Sequence, residues 1–481
     1  MTDPETFRDS IPTVDSAGQR VWMYPRKPPT GKRASKDAVN WYSLRTYVSW
    51  VLLVILFVGP FVKIAGNPLL MFNIVERKFS ILGIMFYPQD FYLFALAMIT
   101  AFVMIVFFTA LYGRLFCGWV CPQTIFMEMV FRKIEYAIEG DAREQEALNA
   151  MEWTNEKVKK KALKHGIFFA ISFLVANLLL GYIIGGDALI DLVTDSPIEH
   201  SFGFFCLFLF TCLFYAIFAR FREQACTFIC PYGRFQSVML DENSLVVAYD
   251  HVRGEKRGHK VKGETWQERL SIGKGDCVDC DLCVKVCPTG IDIRNGTQME
   301  CVNCTNCIDA CNSVMSKVGR DPGLIRYASM DMIEGRSKKL KWTPRLKVYG
   351  AFMCFMLVLL TGLLLARSSV HMDLLRVRGT WYQVMPDGHV TNMFEGTFHN
   401  KSGKELTGEL RLLDHEGQLL YGEPQITLAP QEETKTIVVV TLGPEELDSK
   451  ETNVKIGLFD GDHKLDVVDA TFLAPEQGGE R

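Results

Sequence analysis

Apolar residues along this chain gather into five uninterrupted blocks, each long enough to cross the ~30 Å hydrocarbon core of a bilayer as a helix. They are TYVSWVLLVILFVGPFVKIAG (46–66), FYLFALAMITAFVMIVFFTALYG (91–113), GIFFAISFLVANLLLGYIIGG (166–186), FGFFCLFLFTCLFYAIFA (202–219) and VYGAFMCFMLVLLTGLLLA (348–366). A buried helix of a soluble core mimics one such block but not five, so five transmembrane helices are expected. Lys63, near the end of the first block, is placed to snorkel to the interface. Past residue 368 the period changes. Runs such as GTWYQVM, HVTNMFEGTFHN, ELTGELRLL, QITLAP, KTIVVVTL, NVKIGLFDG and VVDATFLAP alternate or are β-branched, with turn residues between them. Seven short strands in about 110 residues predict an immunoglobulin-like β-sandwich.

Charge then orients the helices. The first 45 residues are polar and basic (PRKPPTGKRASK), with no early apolar stretch of the kind a cleaved signal peptide carries. After the second block come Arg114, Arg132, Lys133 and the run KVKKKALKH. The loop DALIDLVTDSPIEHS between the third and fourth blocks holds acids and no Lys or Arg, and segment 220–347 is basic again. Because cytoplasmic loops carry the Lys/Arg excess, the N-terminus and both long loops are expected inside and the tail outside. The net charge of −3 over 481 residues argues against a generally basic nucleic-acid binder.

Cysteine supplies the chemistry. Cys277-x2-Cys280-x2-Cys283-x3-Cys287-Pro288 is the bacterial ferredoxin run for a cubane cluster, and Cys301-x2-Cys304-x2-Cys307-x3-Cys311 repeats it. In this spacing three cysteines wrap one cluster while the fourth reaches across to the other. Cys277, Cys280, Cys283 and Cys311 are therefore expected to hold one [4Fe-4S] cluster, and Cys301, Cys304, Cys307 and Cys287 the second. Zinc favours two CxxC pairs, and disulfides do not account for three cysteines at x2 plus one at x3 used twice. Asn312 replaces the proline usual after the second run, which leaves the local turn there open. The connector PTGIDIRNGTQME is long enough for a small hairpin. Cubanes and free thiols belong in a reducing compartment, which agrees with a cytoplasmic placement, and no cysteine lies beyond Cys354.

Seven further cysteines remain. Cys206, Cys212 and Cys354 lie inside apolar blocks, where a thiol is commonly a small apolar group. The other four form a repeat: FCGWVCPQTIF (116–126) after the second block and ACTFICPYGRF (225–235) after the fourth. Each is Cys-x3-Cys-Pro. Proline favours the first helical position, which puts Cys121 and Cys230 at N-caps, where amide donors and the helix dipole favour thiolate. If Cys117–Cys121 is instead helical, i,i+4 spacing still brings two thiols to one face. Convergence of Cys117, Cys121, Cys226 and Cys230 would make a soft site suited to Cu(I), as substrate or transient ligand. Inert packing and a plain electron relay are the competing readings. The histidines of the tail (His389, His399, His415, His463) are scattered, as surface residues are. No Gly-rich nucleotide fingerprint stands out, so the electron donor is unknown.

Taken together, CGWxCP, CxxxCPYGRFQ, the paired cubane motif CPTGIDIRNGTQMECVNCTNCIDAC, a fifth helix and an exported β-domain resemble the FixG/RdxA/CcoG family of cytochrome c oxidase accessory proteins of bacterial inner membranes. The resemblance implies reduction of Cu(II) to Cu(I) in support of cbb₃-type oxidase assembly. It also implies partners: a cytoplasmic copper chaperone or copper-exporting ATPase, and periplasmic copper chaperones or oxidase subunits. NapH-type membrane ferredoxins share the CxxxCP repeat and clusters, which keeps a relay from quinol to a partner complex as the alternative. A non-redox assembly scaffold is a further one. Homodimerisation is the common default.

The expectation is thus a multidomain integral membrane protein. Residues 1–45 are a cytoplasmic polar segment and 46–240 carry helices one to four with both CxxxCP motifs. Residues 241–346 form an inserted α+β 2[4Fe-4S] ferredoxin domain, 347–367 helix five, and 368–481 the periplasmic sandwich.

Overall fold

The computed structural model describes residues 25–29, 39–64, 67–73, 78–81, 83–86, 90–195, 200–261, 263–337, 339–368, 370–379, 381–401, 405–422, 425–429, 433–447 and 450–475. Most of the basic N-terminal run falls outside these residues. The chain divides into two compact units: Met1–Val62 with Leu70–Phe79 and Pro88–Leu360, and Lys63–Leu69 with Ser80–Tyr87 and Thr361–Arg481.

In the first unit lie helices long and apolar enough to cross a membrane: Trp41–Val58, Phe91–Tyr112, Asn155–Ile184 and Ser201–Phe221, with Pro344–Leu365 running across its end. The first stops where Gly59 and Pro60 interrupt the apolar run, because proline has no N–H to continue the ladder. Two stretches expected as loops are helical. The basic run KVKKKALKH forms the opening turns of Asn155–Ile184, whose N-cap Thr154 accepts from the Lys157 amide. The acidic stretch after Gly185 (φ +92°) contains the helix Gly186–Thr194, which the reading of acids as loop markers missed.

The cysteine-rich segment is bracketed by two antiparallel strands, Val246–Tyr249 and Ile325–Ala328, paired from Val246↔Ala328 to Tyr249↔Ile325. Between them lie the helices Leu282–Lys285 and Asn306–Lys317. Val247, Tyr249, Ile291, Ile293, Ile308, Met315, Leu324 and Ile325 build one small core with the thiols. The connector is not a hairpin. It carries a 3₁₀ turn, Ile293–Asn295, because Arg294 pulls it onto the first cysteine loop. That guanidinium donates to Asp292 Oδ1 at 2.8 Å, Asp279 Oδ1 at 2.8 Å and Asp281 Oδ1 at 2.7 Å.

The second unit is a β-sandwich. One sheet orders Gly417–Tyr421, Glu433–Leu442, Val390–Asn400 and Val370–Arg376, with Gln383–Val384 added to Val390–Asn400. The other orders Ile426–Leu428, Leu406–Leu412, Glu451–Asp460 and His463–Leu473. Period-two alternation sends Phe394 and Phe398, Val438 and Val440, and Val454, Ile456 and Leu458 into a shared core. All described cysteines are free thiols, so burial holds this core together without disulfides. Sequence patterning missed Val370–Arg376, and the GTWYQVM run yields only the two-residue strand Gln383–Val384.

Candidate iron–sulfur and thiol site

Each cysteine loop is bent by two residues in the left-handed region at equivalent places: Asp279 (φ 52°) and Asp281 (φ 56°), then Asn303 (φ 55°) and Thr305 (φ 68°). Asp and Asn tolerate that region, whereas a β-branched Thr305 there stores strain of the kind found at functional sites. The bends wrap each loop around a cavity and deliver Cys283 and Cys307 to the first turns of the following helices. There the helix dipole favours anionic groups.

One cavity is lined by Cys277, Cys280, Cys283 and Cys311, together with Tyr249 and Arg294. The other is lined by Cys301, Cys304, Cys307 and Cys287, with Cys283 and Thr289 also reaching it. The last cysteine of each run thus faces the other run's cavity. Asn312 does not break the turn as proline would; the helix continues to Lys317, and Asn312 Oδ1 accepts from the Gly323 amide at 2.8 Å. Burial pushes the Cys301 thiol up to about 11 and those of Cys304 and Cys311 up to about 12. Burial alone therefore favours the neutral thiols, and thiolate ligation would need the positive charge of a bound metal. The thiol quartets, their cavities and this need for charge all fit cubane clusters.

The CxxxCP pairs lie beside the second cavity. Gly113 (φ 59°) ends the second long helix where a Cβ would meet Val246 Cγ1 at 2.8 Å, turning the chain into the short helix Leu115–Trp119. Cys121 and Cys230 are N-caps of Pro122–Ile125 and Pro231–Val238, each with proline in the first turn. Their side chains make no cap hydrogen bond, so that part of the thiolate argument is corrected. Moreover, burial pushes Cys117 up to about 11 and Cys226 up to about 12. Cys121 and Cys230 lie near enough to act electrostatically on Cys117, and Cys121, Cys117 and Cys230 on Cys226. Among the described residues, however, no group of three or more His, Cys, Asp or Glu forms a ready single-ion site. The tail histidines pair locally instead, His415 with Glu446 at 2.9 Å and His389 with Asp387 at 3.1 Å.

Residues without a spacing signal join the two centres. Cys117 packs against Val302 and Cys304 of the second loop. A Cβ on the adjacent Gly118 would run into the Val302 carbonyl and lie 2.9 Å from that of Asn303, so only glycine allows this approach. Arg45, fully buried on the first long helix, donates to Gly118 O at 2.7 Å and to Cys304 O at 3.4 Å. Cys117 Sγ donates to Gln236 Oε1 at 2.8 Å, and Gln236 Nε2 to Thr109 Oγ1 at 3.0 Å. Arg114 donates to the Met299 carbonyl and opposes the upward push on both Cys117 and Cys301. Asp309, one turn into the second run's helix, accepts from the Trp41 and Tyr42 amides at 3.1 and 2.7 Å. A buried ion-pair belt, Glu135 with Arg222 and Arg132 with Glu223, ties the segments after the second and fourth long helices together.

These features define a membrane ferredoxin: apolar spanning-length helices, an inserted dicluster domain, and CxxxCP pairs packed on one of its loops. Residues 221–330 match a family model described as a 4Fe-4S dicluster domain, residues 94–138 a 4Fe-4S binding domain, and residues 360–475 the IG-like fold at the C-terminal of FixG. Protein RdxA of Cereibacter sphaeroides is 34% identical over 380 residues, covering 76% of this chain and 78% of that one. Protein RdxB of the same organism is 31% identical with 96% of each chain covered, and the nitrogen fixation protein FixG of Rhizobium meliloti is 30% identical with 86% of each covered. The chain belongs to this FixG-like family. It is a membrane iron–sulfur protein of electron transport with an immunoglobulin-like C-terminal domain.

Proposed function

We propose that the protein is a cupric reductase of the bacterial inner membrane, passing single electrons to Cu(II) at Cys117, Cys121, Cys226 and Cys230. The observation that carries this reading is the packing of Cys117 and Gly118 on the Val302–Cys304 backbone, which sets soft donors against the second cavity. Cys277, Cys280, Cys283 and Cys311 would hold one [4Fe-4S] cluster, and Cys301, Cys304, Cys307 and Cys287 the other. Such clusters supply reversible one-electron storage. The chain's own residues do the rest. Arg45 and Gly118 fix the distance between the centres, and Gln236 and Arg114 hold Cys117 in place. The thiols select Cu(I) by softness.

In this reading the N-terminus and clusters are cytoplasmic and the sandwich periplasmic. Copper chaperones or an exporting ATPase meet the inner side, and periplasmic chaperones or oxidase subunits meet the sandwich. A reporter fused after Arg481 is expected to behave as periplasmic and one inserted near Gly254 as cytoplasmic. The reverse pattern overturns the topology.

The function itself is tested by single turnover. Protein reduced with dithionite, desalted and mixed with chelated Cu(II) at near stoichiometry is expected to yield about two Cu(I) per chain, one electron from each of two clusters. Cu(I) is read with a Cu(I)-specific chromophore as the absorbance near about 400 nm returns. No Cu(I) above the protein-free control overturns the reading. One observation favours the relay alternative: the match of residues 94–138 to a 4Fe-4S binding domain, which would place iron at Cys117 and Cys121. Iron clearly above about eight per chain would support it.

A further inference from the structure

We infer that the chain binds the phosphate-bearing headgroup of an anionic phospholipid in a cavity beside the start of the first long helix. The cavity has a volume of about 450 Å³, within the usual range of small-molecule sites. Its walls are Lys27, the opening turns of Trp41–Val58 and the helix Arg132–Ile138. The first long helix contributes Ser43, Thr46, Tyr47 and Trp50. Their i, i+3, i+4, i+7 spacing puts all four on one face. Along that stripe hydroxyls give way to rings, and Tyr47 and Trp50 are 70% and 60% exposed where the apolar block begins. Tyrosine and tryptophan at that level belong to the headgroup zone of a bilayer.

The polar end of the cavity is positive. Lys133 Nζ donates to Thr46 Oγ1 at 3.2 Å and lies 5.6 Å from the Tyr42 ring centroid, and neither contact neutralises it. Tyr136 Oη donates to Pro25 O at 2.9 Å, which holds segment 25–29, with its Lys27, against the same helix. Burial, and then the charges of Arg45 and Lys27, hold the Lys133 ammonium below the usual lysine value. Lys27 and Lys133 are thus close enough to repel, and neither forms an ion pair among the described residues. The carboxylates that act on the wall residue Tyr136 are already engaged, Glu128 by Arg132 at 2.8 Å and Asp141 by Arg26 at 3.4 Å. Arg45 spends its own hydrogen bonds on the neutral carbonyls of Gly118 and Cys304. An anion in the cavity relieves the repulsion between the lysines, whereas a neutral ring such as a quinone does not. Free phosphate would use the lysines and hydroxyls but leave Tyr47 and Trp50 without a role. An anionic amphiphile uses both ends of the stripe, as basic pockets at the membrane surface do with lipid headgroups.

The test uses full-length protein in neutral detergent, stripped of lipid, with dioctanoyl phosphatidylglycerol as probe and native mass spectrometry to count it. One probe molecule is expected to bind saturably, about tenfold or more tighter than dioctanoyl phosphatidylcholine, the scale set by two lysines at an anionic headgroup. The variant K27Q/K133Q should lose that preference, and K133R, which keeps the charge, should retain it. A control with the same charge change elsewhere, K159Q/K464Q, should bind as the unaltered protein does. Lys27 is exposed, so K27Q alone carries the test if the double variant loses iron or thermal stability, and it should weaken the preference by about threefold or more. Equal binding of the two lipids, or an unchanged preference in the lysine variants, overturns the site. So does displacement of the probe by an equal concentration of inorganic phosphate or of a neutral short-chain quinone.

Discussion

Replacing Cys117, Cys121, Cys226 and Cys230 together with serine is expected to cut Cu(II) reduction by about a hundredfold while leaving iron content unchanged. The cavity-lining quartets are separate from these residues, so the substitution removes soft sulfur without touching their ligands. Serine keeps the size of the side chain but offers a harder oxygen of far higher pKa, which does not retain Cu(I). Dithionite should still bleach the variant, because a small reductant does not need the thiol site. Copper must be chelated and near stoichiometric, since free Cu(II) oxidises exposed clusters directly. A quadruple variant that reduces chelated Cu(II) at the wild-type rate would show these cysteines to be structural or to serve another acceptor, and the relay reading would replace the present one.

The second large effect concerns the crossed ligand sets. Cys311 lines the cavity of Cys277, Cys280 and Cys283, and Cys287 that of Cys301, Cys304 and Cys307. Cys311→Ser should therefore lose about four of about eight irons per chain. Pairing it with Cys280→Ser should cost no further iron, because both changes strike one cluster. Pairing it with Cys304→Ser should remove nearly all iron. If each run instead holds its own cluster, the two double variants exchange outcomes. Iron analysis with low-temperature electron paramagnetic resonance of the reduced variants decides between them.

The parts of this molecule written as spacing were readable in advance. Cysteines at x2, x2 and x3 imply a loop tight enough to surround a cubane, and the crossing of Cys287 and Cys311 follows from the same spacing. Period-two alternation marked the sandwich strands around Phe394, Val438 and Ile456. Residues whose role depends on one long-range contact were not readable. Arg45 looks like a flanking charge before an apolar helix, yet it is buried against Gly118 and Cys304 carbonyls. Gln236 and Arg114 carry no periodic signal at all. Gly118, between the cysteines of FCGWVC, did offer a hint, since glycine there permits the close backbone approach observed. The thiolate argument for Cys121 and Cys230 identified their N-cap positions but assumed a cap bond that does not form. Helix Gly186–Thr194 was hidden because its acids resemble a loop, although Gly186 and Leu189 give it a buried side.

The central claim is that this family member carries two cubane clusters in crossed cysteine sets, and metal counting on anaerobically purified protein tests it most directly. The account predicts about eight iron and about eight acid-labile sulfide per chain, with broad absorbance near about 400 nm that dithionite bleaches. Stoichiometric zinc with little iron or sulfide would contradict it.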